Sequence, residues 1–152
     1  PVAHFADVVR SQLQQDWQVW LLGSKQDAVI TGEISDQGLT DVHDLAGLTQ
    51  LDEVVDLLSA ANYVVSNDSG LMHVAAAVDT PIIAIYGSTS PKINPPLNPH
   101  ATILWENLHC SPCNQRTCPL KHTNCLQQLP ASRVISVLTE VGLSLAKAGV
   151  GP

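Results

Sequence analysis

The chain has 152 residues, 45% hydrophobic and 14% charged, a composition that excludes a disordered segment and suits a domain with its own core. Its formal charge is −7 with only seven Lys and Arg, dispersed along the chain, so a nucleic-acid duplex and an anionic membrane surface are excluded as favoured direct partners. No apolar run approaches the roughly 18 residues of a membrane span, and nothing reads as a secretory signal.

Pro1 suits the first position of a helix, where its missing N–H is no loss. Val2, Phe5, Val9 and Leu13 then recur at helical spacing and give one apolar face. A chain that opens on a helix without Met reads as one domain of a longer protein, here residues 1–148 with a flexible tail at 149–152. Trp17–Ser24 is a short apolar run ending in a glycine turn, which predicts a strand. Lys25–Ile34 predicts a weak helix, and Asp41–Gly47 another strand. Thr49 stands as N-cap before Leu51, Val54, Val55 and Leu58 on one helical stripe. Asn62–Ser66 predicts a strand, Ser69–Val78 a helix, Pro81–Gly87 a strand, and Ala101–Trp105 one more. Ser88–Leu129 is irregular, broken by six prolines, and contains a Cys-rich loop at about 106–129. From Pro130, a last helix carries Val134, Val137, Leu138, Val141 and Leu145 on one face. Strands and helices alternate, and the strands are apolar throughout. That pattern predicts an α/β fold, Rossmann-like, with a parallel sheet flanked by helices.

The chemistry concentrates in "YVVSNDSGLMHVAAAVDTP", where an apolar run stops at Asn67-Asp68-Ser69-Gly70 and a second begins at once. In open α/β sheets ligands sit beyond the carboxyl ends of strands, at helix N-termini. The first amides of the helix, around Ser69 to Met72, lack intrahelical partners and present a positive dipole end to an anion. Gly70 keeps a Cβ out of the way. Asp68 would repel a bare phosphate. It either caps the helix or accepts hydrogen bonds from the hydroxyls of a polyol attached to the phosphate, and Ser69 can do either. His73 lies four residues after Ser69, on the same helical face. Ordinary capping stands beside the ligand reading, and a lone His is more often structural.

"VVSNDSGLMHVAAAVDTPIIAIYGSTSP" closely resembles the signature of the ADP-heptose:lipopolysaccharide heptosyltransferases (glycosyltransferase family 9), the heptosyltransferase II type above the others. "PVAHFADVV" is similar to the helix after that family's Lys-Arg-Trp-Pro element, and "LAGLTQLDEVVDLLSAA" resembles a further segment. The likeness covers about the first ninety residues well and the "CSPC" region more loosely. It implies the C-terminal, donor-binding half of a GT-B type glycosyltransferase. That enzyme would transfer heptose from ADP-heptose to the inner core of lipopolysaccharide, inverting the anomeric centre by direct displacement without a metal cofactor. On the same resemblance Asp68 meets the heptose hydroxyls, while Asn67, Ser69, Gly70 and Leu71 line the sugar and diphosphate. His73 stands at their edge. Gly23, Ser24 and Asp27 fall near the ribose, and Leu48, after Gly47, covers the adenine. The family's catalytic aspartate belongs to the N-terminal half and its diphosphate-binding lysine precedes the Trp-Pro. Both lie outside this sequence, so no catalytic residue is assigned here and the chain alone is expected to bind donor weakly without turnover. The resemblance also implies a bacterial, cytoplasmic location, peripheral to the inner membrane.

Cys110, Cys113, Cys118 and Cys125 follow C-x2-C-x4-C-x6-C within sixteen residues, with His109 and His122 as spare ligands. Four thiolates suit a tetrahedral structural zinc, yet only one C-x2-C pair is present, so disulfides or free thiols stay open. A cytoplasmic setting disfavours disulfides. Arg116 and Lys121 make this loop locally positive, a feature suited to a phosphorylated acceptor. Two other readings compete. One is a different nucleotide-sugar-binding α/β domain, another glycosyltransferase or an epimerase using Asp68 and His73. The other is a Cys-rich metal-binding interaction module, which leaves the Asp68 junction unexplained.

Overall fold

The computed structural model describes residues 1–147. In chain order the elements are α1 (Val2–Leu13), β1 (Val19–Leu21), α2 (Ala28–Ser35), β2 (Val42–Asp44), α3 (Leu51–Ala60), β3 (Val64–Asn67), α4 (Gly70–Ala77), β4 (Ile82–Tyr86), β5 (Ala101–Trp105), α5 (Asn124–Gln127) and α6 (Ala131–Lys147). The described residues form two compact units, one of Pro1–Gln50 with the chain from Pro130 onward, the other of Leu51–Leu129.

In the first unit α1 packs on α2 and α6. Ala6, Val9 and Ile34 are the buried heart of a cluster joined by Val2, Phe5, Leu13, Val19, Leu21, Leu39 and Val42. All four residues of the expected α1 stripe therefore reach one core. β1 and β2 run parallel, with Val19 opposite Val42 and Leu21 opposite Asp44. Val134 and Leu138 of α6 are buried, as the helical stripe requires. The side chains of Val141 and Leu145, and the expected tail at 149–152, lie outside the described residues.

The second unit is a parallel sheet in the order β3-β4-β5. Val64 pairs with Ile82 and Asn67 with Ile85 on one side of β4. Ile82 pairs with Ala101 and Tyr86 with Trp105 on the other. All five residues of β4 are buried, as a central parallel strand covered on both faces demands. Thr80 fixes the start of this strand: its Oγ1 donates to the Leu58 carbonyl at 2.6 Å, and its own carbonyl accepts from Asn98 Nδ2 at 2.9 Å.

The strands are shorter than the apolar runs that announce them. β1 and β2 keep three residues each and are only partly buried. The all-apolar burial argument holds fully for β4 alone. α2 starts at Ala28 rather than Lys25 because Ser24–Asp27 closes a turn first, Asp27 N donating to Ser24 O at 3.0 Å. The pairing among the described residues forms two separate parallel sheets rather than the one expected. α5 is a single turn inside the stretch that reads as irregular. No helix among the described residues is long and apolar enough to cross a membrane.

Ile83 is fully buried in β4, so Ile83→Ala is expected to destabilise the fold by about 2–5 kcal/mol. Leu97, 84% exposed, is expected to tolerate Ala within about 0.5 kcal/mol. Denaturant melts of both variants check this pair, and equal effects would contradict the assignment of the core.

Candidate functional site

The Asn67–His73 corner is built by two parallel strands and one helix. β3 ends at Asn67, and the ladder continues one residue further, Asp68 N donating to Ile85 O at 3.1 Å. Ser69 then takes an extended backbone (φ −151°, ψ 169°) and α4 starts at Gly70. Position alone makes Ser69 the N-cap, yet its side chain makes no capping hydrogen bond into the first turn. The Ser69 hydroxyl instead meets that of Ser66 at 3.3 Å, while Ser66 Oγ donates to the Asn67 carbonyl at 2.8 Å. Side-chain capping, the plain explanation for an Asp-Ser pair before a helix, is therefore not what Ser69 does. The first amides of α4 therefore receive no side-chain cap from Ser69, and they carry the positive end of the helix dipole.

A Cβ added at Gly70 would meet nothing within 4 Å. The backbone there opens on free space, and packing does not require the glycine. Asp68 is half-buried and His73 exposed. Beneath the corner lies Tyr86, fully buried at the end of β4. Its hydroxyl donates to the Asn94 carbonyl and reaches Met72 Sδ, in the first turn of α4, at 3.6 Å. Burial first, and then the negative charge of Asp68, push the Tyr86 phenol up to about 12. Nothing local in the sequence signals this partnership, because Tyr86 reads simply as the last residue before a strand-ending glycine.

Gly23, Ser24 and Asp27 come together in the first unit. Asp27 Oδ2 accepts from Ser24 N at 2.8 Å and from Ser24 Oγ at 2.7 Å. These two bonds, the hydroxyl's first, hold the Asp27 carboxyl below its usual range. Any Cβ at Gly23 would stand 2.8 Å from Asp27 Cβ. Gly47 donates its N–H to Gly23 O at 2.9 Å. With φ +72° and a would-be Cβ 2.7 Å from Lys25 Cγ, position 47 admits only glycine. Beside it Leu48 is 73% exposed, a large apolar side chain offered to whatever covers it. The structure gathers these residues in one unit and Asn67–His73 in the other.

The four cysteines are free thiols, each half-buried. Backbone amides converge on Cys118 Sγ, that of Thr123 contributing most, and draw its thiol below the usual range. Burial pushes the Cys125 thiol up, and the charges of Cys110, Cys113 and Cys118 add to that. Still, no group of three or more His, Cys, Asp or Glu side chains among the described residues stands where it would hold a metal ion. The expected tetrathiolate is therefore not an assembled ligand set.

The sequence matches Glycosyltransferase family 9 (heptosyltransferase) over residues 1–124. Among curated relatives, lipooligosaccharide heptosyltransferase 2 of Haemophilus influenzae is 44% identical over 108 residues, covering 68% of this chain and 31% of that protein. Lipopolysaccharide heptosyltransferase 2 of Escherichia coli K12 is 41% identical over 108 residues, with the same coverage of 68% and 31%. The chain thus spans 31% of the length of these relatives. Among solved structures, E. coli ADP-heptose lps heptosyltransferase II superposes with a TM-score of 0.81 at 33% identity, over 93% of this chain and 41% of the other. E. coli heptosyltransferase WaaC with ADP gives 0.70 at 25% identity, over 93% and 39%. With the family matched across both units and the Asp68 corner inside the matched span, the chain belongs to glycosyltransferase family 9, the heptosyltransferases.

Proposed function

We propose that this chain is the ADP-heptose-binding portion of a heptosyltransferase that extends the inner core of lipopolysaccharide. The observation that carries the reading is the uncapped start of α4 beside Asp68, within a span matching the family from residue 1 to 124. In this reading the free amides at Gly70–Met72 take the donor diphosphate and stabilise the negative charge that grows on the leaving ADP. Asp68 accepts hydrogen bonds from heptose hydroxyls, which fixes the sugar for attack and explains a carboxylate so near an anion site. Asn67, Ser69 and Leu71 line the same corner and His73 borders it. Gly23, Ser24 and Asp27 are assigned to the ribose and Leu48 to the adenine, on the family resemblance and on the exposed apolar side chain of Leu48.

Inverting displacement needs a base on the acceptor hydroxyl. No residue of this chain is assigned that role, so the chain is expected to bind donor without transferring heptose. The acceptor, an inner-core lipopolysaccharide, and a cytoplasmic place at the inner membrane follow from the same reading. Arg116 and Lys121, both exposed, suit the acceptor's phosphate groups. A structural zinc at Cys110, Cys113, Cys118 and Cys125 belongs to this proposal as well, supported by the count of four thiols and by the amides around Cys118. It would require the side chains to turn toward one centre.

Calorimetry with ADP-heptose, ADP and UDP tests the function: ADP-heptose is expected to bind best and UDP not at all, and a preference for UDP would defeat the reading. Asp68→Ala is expected to weaken ADP-heptose about tenfold or more, the scale of charge-assisted hydrogen bonds, while leaving ADP equal or tighter because a repelling charge is gone. Equal losses for both ligands would place Asp68 away from the sugar. Gly70→Ala separates fold from site. It should keep or slightly raise stability, by about 0.5–1 kcal/mol, and weaken both ligands. Metal analysis of protein purified without tag or chelator is expected to give one zinc per chain, and a substoichiometric result ends the zinc proposal.

A further inference from the structure

The Cys-rich loop has little regular structure, a single helical turn at Asn124–Gln127. Four of its non-glycine residues, Asn107, Asn114, Lys121 and Thr123, hold left-handed backbone. A loop shaped this closely, yet poor in core residues, is held by its attachments. Three of them converge on one place, the turn that leaves β4. The hydroxyl of Ser111, a buried side chain, donates to the Gly87 carbonyl. Asn114 N donates to the Ser88 carbonyl at 2.8 Å. Leu126 lies on Gly87 so closely that an added Cβ would stand 2.8 Å from its Cγ and Cδ2.

The turn so gripped is continuous with the Asp68 corner. Gly87 follows Tyr86, whose hydroxyl bonds the Asn94 carbonyl and touches Met72 in the first turn of α4. Ser90 closes the stretch between, its carbonyl accepting from Ile93 N at 3.0 Å and Asn94 N at 3.2 Å. One residue before Tyr86, Ile85 holds Asp68 by the backbone bond that ends the β3–β4 ladder. The Tyr86 hydroxyl thus ties this stretch to Met72 and the first turn of α4.

We infer that the cysteine-bearing loop is a positioning strap: through Ser111 and Leu126 it sets the Gly87–Ser90 turn against the Asp68 corner, so that diphosphate affinity depends on side chains that never touch the ligand. This rests on the donor reading of that corner. Neither residue is catalytic, and both act through the turn. Glycine is the only residue type that fits beneath Leu126 without displacing it, which gives the close approach a purpose that strand packing alone does not supply.

The test is ADP affinity of the whole chain by calorimetry, well below the melting temperature. Ser111→Ala and Leu126→Ala are each expected to raise the ADP Kd about fivefold, in the range of coupling through packed contacts. Val9→Ala, a truncation of a buried residue in α1, is the control: it lowers stability and should leave the Kd unchanged. Wild-type Kd values in the two strap variants would overturn the inference, and so would an equal weakening in the Val9 control. Reading two strap variants keeps the test decisive if one of them fails to fold. Failure of the unmodified chain to bind ADP would instead overturn the donor reading, and this inference with it.

Discussion

Backbone amides at the start of a helix must find acceptors, and the first turn of α4 receives no cap from the residue placed to supply one. Ser69 engages its hydroxyl with Ser66, and Gly70 stands open to free space. The surrounding arrangement sets where that uncapped turn begins. β3 must end at the residue before Asp68, and β4 must run beside it to hold Asp68 N. Both follow from the register that places Asn67 opposite Ile85.

β4 bears most of this. Five consecutive buried residues give the second unit its centre, and the last of them, Tyr86, turns from packing to chemistry. Its phenol accepts the proximity of Asp68 at the expense of its own acidity, rising to about 12 through burial and that charge. The Cys-rich loop then rests on the strand's exit at Gly87 and Ser88. Packing, electrostatics and the candidate site thus meet within a few residues of a single strand end.

Much of this was legible in the sequence. The helical stripe of α1 was, and so was the start of that of α6 at Val134 and Leu138, because a 3.6-residue period needs no tertiary information. The Asn67–Gly70 junction was too, since an abrupt change from β-branched residues to Asp-Ser-Gly marks a strand passing into a helix. The strand ends were not, because backbone pairing depends on a neighbour's register and not on the run of apolar residues. Hence β1 and β2 keep three residues of longer runs. Division into two sheets was equally hidden, as nothing local tells a strand which partner it will lack. In the first unit, Gly23 and Gly47 were readable as turn residues, but not their mutual hydrogen bond or the collision with Lys25 that makes Gly47 obligatory. The spacing of the cysteines suggested a ligand set, and among the described residues no group of three or more metal-binding side chains stands assembled. Spacing constrains the backbone only, whereas coordination depends on where the sulfur atoms point.

A crystal structure of the chain with intact ADP-heptose tests the central claim most directly. The expected result is diphosphate oxygens on the Gly70–Met72 amides and heptose hydroxyls on the Asp68 carboxylate. A donor seated elsewhere, with the start of α4 facing only solvent, would contradict it.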